Sequence, residues 1–148
     1  MNLYGYVMND PVNFVDLDGR RARLTFPQGM AIPPGMTAQQ MWDNIVEAWT
    51  MDCFEFYDAV KSGGKWDFKR NDPKYEDFGN YHFGVMVRAN GWYGEFAKNM
   101  AGAYQIYSDT SKPGWGYPGV SPYGDDPRDQ VNIDLGINDY NSGHWNPY

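Results

Sequence analysis

TAQQMWDNIVEAWTMDCFEFYDAV, residues Thr37 to Val60, is the longest periodic segment of the chain. Met41, Ile45, Trp49, Phe56 and Val60 recur at helical spacings, which predicts one helix over roughly 38–61 with a single apolar stripe. Thr37 and Gln40 read as a capping box at its start, and Ser62-Gly63-Gly64 stops it. At about 100° per residue, Asp43, Glu47 and Asp58 fall off the stripe. Asp52 falls near its centre, between Ile45 and Phe56, and Glu55 lies on its border. A carboxylate on an apolar face costs several kcal/mol unless it is paired, hydrogen-bonded or protonated. Asp52 is therefore bonded to a neighbouring loop, or on a helix whose phase differs from this one, or a perturbed acid of a functional site.

The composition bounds the rest. A chain of 148 residues supports one domain with an ordinary core. Aromatic residues make up 18%, with 17 Gly and 10 Pro, so rings joined by many turns build core and surface alike. Such surfaces suit stacking on sugars or bases, although aromatic residues more often form core. A net charge of −7 and a pI near 4.6 argue against a general electrostatic grip on a polyphosphate, and suit a basic protein partner. Cys53 is the sole cysteine and reads as a small core hydrophobe. His82 and His144 have no metal-ligand spacing. No apolar run approaches the ~20 residues of a membrane span, and the N-terminus lacks a signal-peptide pattern.

The first 19 residues, MNLYGYVMNDPVNFVDLDG, are β-type segments broken by turn clusters at Asn9-Asp10-Pro11 and Asp16 to Gly19. Asn2, Leu3, Tyr4, Tyr6, Asn9, Pro11, Asp16, Asp18 and Gly19 resemble the closing pattern of Rhs/YD-repeat cores. The chain departs from that pattern at Leu17, where Pro is usual, and at Arg20. The resemblance implies an aspartate-dependent self-cleavage at Asp16 or Asp18 that frees a C-terminal toxin. It also implies carriage inside the Rhs cage of a larger effector, by type VI secretion, into a target bacterium. The expected organisation is 1–19 as the end of that core, 20–36 as a Pro/Gly-rich linker holding Arg20, Arg21 and Arg23, and 37–148 as the toxin domain.

Within 37–148, Tyr81, Phe83, Val85 and Val87 alternate with His82, Gly84, Met86 and Arg88, which predicts a strand. His82 and Arg88 would then share a face across Gly84, either as a floor for an anionic or carbonyl group or as a solvent-facing edge. A second helix is expected over roughly 92–107, with Phe96, Met100, Ala103, Tyr104 and Tyr107 on one side. The aperiodic stretch Ser108 to Gly124, with Trp115 and Tyr117, suits an ordered wall or lid. Asp126 as N-cap and Pro127 as first helical residue start a third helix over roughly 127–140. Asp125, Asp126 and Asp129 can cap that helix, hold a divalent cation or supply a general acid. The expected fold class is α+β, with three main helices, a small β element and long Gly/Pro/aromatic loops.

Lys65 to Lys69, Tyr75 to Tyr81 with Gly84, and Ala101 to Gln105 with Gly124 to Asp129 form three blocks. Together they resemble the bacterial toxin type 44 family. The resemblance implies a toxin, with a cognate immunity protein as partner. If the blocks meet, Asp67, Lys69, Glu76, Asp77, Asn80, Asp125, Asp126 and Asp129 gather near Asp52 or Glu55. Three functions fit. One is a cell-wall hydrolase, with Asp52 or Glu55 as the acid and Asp67, Glu76 or Asp77 as the second carboxylate. Lys69, Asn80, Arg88, Trp115, Tyr117, Asp126 and Asp129 would contact substrate. Another is a ribonuclease with His82 as base and Lys65, Lys69, Arg70 and Arg88 on the phosphate. The last is a non-enzymatic binding or structural tip. The target is peptidoglycan or RNA, in the periplasm or the cytoplasm of the attacked cell.

Overall fold

Residues 37–60 form two helices rather than one in the computed structural model, which describes residues 25–92, 94–107 and 109–145, without the side chains at 95–97, 103, 104 and 107. Helix α1, Ala38–Thr50, starts at Thr37, whose hydroxyl accepts from the Gln40 N–H at 3.1 Å. Met51 is extended and ends it, and Asp52 begins α2, Cys53–Val60. The break re-phases the stripe. Met41, Trp42, Ile45 and Ala48 are buried from α1, and Phe56 and Ala59 from α2. Asp52 thereby leaves the apolar face and lies exposed, as does Cys53, which is no core residue.

The α+β expectation is wrong: no strand occurs among the described residues, and the segment read as one lies inside α3, Glu76–Ala89. The alternation failed because α3 is buried almost all round, through Phe78, Tyr81, His82, Gly84, Val85, Met86, Val87 and Ala89. A short apolar run of that kind carries no usable period. Helix α4, Gly94–Tyr107, and α5, Pro127–Asn141, fall where the sequence put them. Of the apolar residues of α5, Ile133, Ile137 and Tyr140 are buried, while Val131 and Leu135 face outward.

The centre of the molecule is the α3–α5 pair. Asp77 in the first turn of α3 bonds to Arg128 and Asn132 near the start of α5, and Arg88 at its end reaches Asn141 at the end of α5. The two helices therefore run in the same direction. They approach closely because Gly84 and Gly136 lack a Cβ. One built on Gly84 would sit 2.2 Å from the Ile133 carbonyl oxygen, and one on Gly136 2.1 Å from that of Tyr81. Trp49 from α1 donates to the Tyr140 hydroxyl at 3.1 Å, and Asn90 holds the end of α1 through the carbonyls of Ala48 and Met51.

The Pro/Gly-rich segment packs on this core from Thr25 onward. Phe26 lies 5.7 Å from Phe78 and 5.5 Å from Trp145, ring centre to ring centre. Met30, Ile32 and Met36 also contact the core. His144 donates from Nε2 to the Thr25 carbonyl at 2.7 Å, so both ends of the described chain meet. Residues 1–19, with Asp16 and Asp18, and Arg20, Arg21 and Arg23 lie outside the described residues. Among the described residues no helix is long and apolar enough to cross a membrane.

Candidate active site

The shared N-terminal end of α3 and α5 collects carboxyl groups, where the partial positive ends of two helices favour negative charge. Asp126 caps α5 by accepting from the Arg128 N–H at 2.9 Å, and Pro127 follows as the first helical residue. Asp125 and Asp129 point inward instead, 2% and 7% exposed. The Gln105 carboxamide of α4 donates through one nitrogen to Asp125 Oδ1 and, at 3.3 Å, to Asp129 Oδ2. Gln130 Nε2 donates to the other oxygen of Asp125. The Gln130 Oε1 atom is buried with no protein donor beside it.

These surroundings shift both acids. Burial pushes Asp129 up to about 7, with Asp125, Glu76 and Asp126 adding repulsion and Lys69 opposing them. Burial also raises Asp125, against the bond from Gln130. A carboxyl that is half-protonated near neutrality can both give and take a proton. Glu76, in the first turn of α3, borders the pair, and Lys69 Nζ lies 3.8 Å from its Oε1.

The 109–124 loop closes over the neighbouring part of α4. A Cβ on Gly102 would lie 2.0 Å from the Tyr123 carbonyl oxygen, so loop and helix touch through backbone. Gly124 donates to the Trp115 carbonyl at 2.6 Å, Asn99 accepts from the Gly119 N–H at 2.6 Å, and Tyr117 bridges to Val120. The loop is thus tied at several points, with Tyr117 exposed and Trp115 half-buried beneath Lys112.

Of the residues singled out from sequence, the fold brings Glu76, Lys69, Asp126 and Asp129 together. Asp52 and Glu55 only cap each other: Asp52 accepts from the Phe54 and Glu55 N–H groups, and Glu55 accepts from that of Asp52, all at 2.9 Å. Asp67 closes the turn after α2 by accepting from the Gly63 N–H at 2.7 Å. Asp77 is held by Arg128 at 2.8 Å and Asn132 at 3.0 Å. Arg88 joins the far ends of α3 and α5 and bonds the Trp92 carbonyl. Asn80 is half-buried, its Nδ2 without an acceptor.

His82 is core. It is 1% exposed, with the rings of Trp66, Phe68 and Phe78 within 5.8 Å. Asn44 donates to its Nε2 at 3.0 Å, and Gln40 donates in turn to Asn44. Burial lowers its pKa to about 3, with Lys65 adding to the effect, so the ring is neutral near pH 7.

Sequence reasoning missed Gln105 and Gln130 as site residues, whereas it named Asp125 both in the helix-start cluster and in the set that the family blocks would gather. Gln105 lies in one of those blocks, which is the one signal that could have found it. Among the described residues, no group of three or more His, Cys, Asp or Glu side chains is arranged to hold a metal ion. Both Asp125 oxygens are already bonded by carboxamides.

Two parallel helices thus set a buried carboxyl pair at their common start within a small helical domain. The chain belongs to the bacterial toxin 44 family, whose profile matches residues 67–142, just over half its length. That span holds α3, α4 and α5 and with them Glu76, Gln105, Asp125 and Asp129. No curated protein and no solved structure matches the chain.

Proposed function

We propose that this toxin domain is a hydrolase of bacterial cell-wall glycan, with Asp129 as general acid and Asp125 or Glu76 as the second carboxylate. The observation that carries the reading is the buried Asp125–Asp129 pair, in which Asp129 is held near pH 7. Acid-assisted glycoside cleavage needs one carboxyl that keeps its proton for the leaving oxygen and a second that acts as base or nucleophile. Gln105 and Gln130 position the pair without adding charge. Tyr117, exposed on the tied loop, offers a face on which a sugar ring can stack. The nuclease reading loses its base, because His82 is sealed among aromatic rings and held neutral. Three of its four cations are also engaged: Lys65 pairs with Glu47, Lys69 lies beside Glu76, and Arg88 bonds Trp92 and Asn141. Delivery as the tip of an Rhs-type effector, release at Asp16 or Asp18, and restraint by an immunity protein complete the proposal.

The test is growth of a bacterial host making the chain with and without an export signal, each with an Asp129→Asn counterpart. Killing with cell rounding only after export, lost in the folded variant, supports the reading. Purified chain should release new reducing ends from isolated peptidoglycan. Killing confined to the cytoplasm, or intact glycan, overturns it.

A further inference from the structure

The most exposed large apolar side chain among the described residues is Phe54, at 78%, and Tyr57, at 48%, follows one turn later on α2. Neither belongs to the acid pair or to the core. A groove of about 470 Å³ lies alongside, with Met51 and Ala59 in its lining and Glu47, Glu55, Asp58 and Lys65 bringing charge. Adding Asp52, four carboxylates on this face stand against Lys61 and Lys65. Those lysines are already engaged by Asp58 and Glu47. The face is therefore acidic with an exposed Phe54 and a half-exposed Tyr57, over whose ring Lys61 Nζ lies at 5.7 Å, and it lies wholly outside the segment that carries the family match.

We propose that α2 and its groove are the docking face for a basic protein partner. Its apolar side chains cover Phe54 and Tyr57, and a lysine or arginine enters between Glu47, Glu55 and Asp58. Charge selects this occupant. A second copy of the chain would set carboxylates against carboxylates, within a sequence of net charge −7. Exposed aromatic anchors beside a charged rim are what a tight protein interface buries at its centre. The proposal rests on the toxin reading only in taking the partner to be one that restrains the domain.

The test uses the full chain carrying Asp129→Asn as bait in a two-hybrid screen of genomic fragments from the bacterium that encodes it, so recovery does not depend on toxicity. Preys are then assayed against the same bait with Phe54→Ala and Asp58→Lys, and separately with Tyr57→Ala, each checked for helix content. A basic prey whose affinity falls at least ~50-fold on both altered faces is expected. It should also bind the unaltered chain as it binds the Asp129→Asn bait, and slow maleimide labelling of the exposed Cys53 at least ~10-fold. Preys that are acidic, that tolerate both altered faces, that leave Cys53 labelling unchanged, or that are lost on Gln105→Leu instead overturn the proposal, as does recovery of none. Failure of the hydrolase reading shows separately, as intact glycan with docking unaffected.

Discussion

Gln105 donates to Asp129 across 3.3 Å with the same nitrogen that serves Asp125, so one carboxamide from α4 ties the acid just before α5's N-cap to the acid in its first turn. A carboxamide N–H favours a charged carboxylate over a neutral one. Gln105→Leu removes both bonds, and the Asp129 carboxyl rises further. Activity that needs a protonated Asp129 declines as pH climbs through about 7. In Gln105→Leu that decline should move upward. A pH–rate profile on isolated peptidoglycan reads it directly, and an unmoved profile removes Gln105 from the site.

Asp129 also sets a stability slope. Its folded pKa, about 7, lies above the 3.8 of the free side chain, so the folded state holds the extra proton between those values. The associated stability is fully present below about pH 4 and is lost as pH rises through 7. Asp129→Asn should therefore be more stable than the parent at pH 8, by roughly 1–3 kcal/mol, with little difference at pH 4. Urea midpoints at both pH values decide it.

His82 acts in the opposite sense. Its folded pKa, about 3, lies below 6.5, so the unfolded chain binds the extra proton between them. Stability from the buried neutral ring is complete above pH 6.5 and drains as pH falls toward 3. His82→Leu should cost about 1–3 kcal/mol at pH 7, because Asn44 loses its acceptor. It should also flatten the acid limb. Between pH 4 and 6.5 the two slopes oppose each other, so each variant should uncover the other's.

The Gly84–Gly136 contact should tolerate no side chain. Gly84→Ala would press a Cβ against the Ile133 carbonyl and is expected to cost upward of about 3 kcal/mol. Gly79→Ala, on the same helix with only Phe68 Cβ at 4.0 Å, should instead stabilise by about 0.5–1 kcal/mol. Equal effects in thermal melts would deny the close approach of α3 and α5.

Asp52→Asn should kill as well as the parent, since asparagine caps a helix nearly as well as aspartate. Asp52→Ala should lose about 1 kcal/mol of stability and retain its activity. A folded Asp52→Asn chain that no longer kills would return Asp52 to the catalytic machinery.

Helix boundaries were legible wherever a local chemical signal marked them. Thr37 caps α1, and Asp126 with Pro127 starts α5, because a hydroxyl or carboxylate at an N-cap acts only on the next turn. Asp52 and Glu55 carried the same kind of signal, an acid and a glutamate three residues apart, but a continuous apolar period hid the break at Met51. The strand expected over 81–88 failed for a different reason. A helix buried on nearly every side shows no amphipathic period, and Gly84, read from sequence as a gap on a strand face, is what lets α5 approach. The acid pair was only half legible. Asp129 stood out as a helix-start acid, whereas its bridge to Gln105 spans 24 residues and exists only once α4 and α5 pack.

Helix α5 begins beside the acid pair and ends three residues before His144, whose ring holds the Thr25 carbonyl. At about 1.5 Å per residue, its 15 residues separate those places by roughly 20 Å. Phe26, next to Thr25, spans much of that distance by packing on Trp145 at one side and on Phe78, in the first turn of α3, at the other. A segment that touches both helices' surroundings in this way works as a clasp: loosening Phe26 would free the start of α3 and the turn after α5 together.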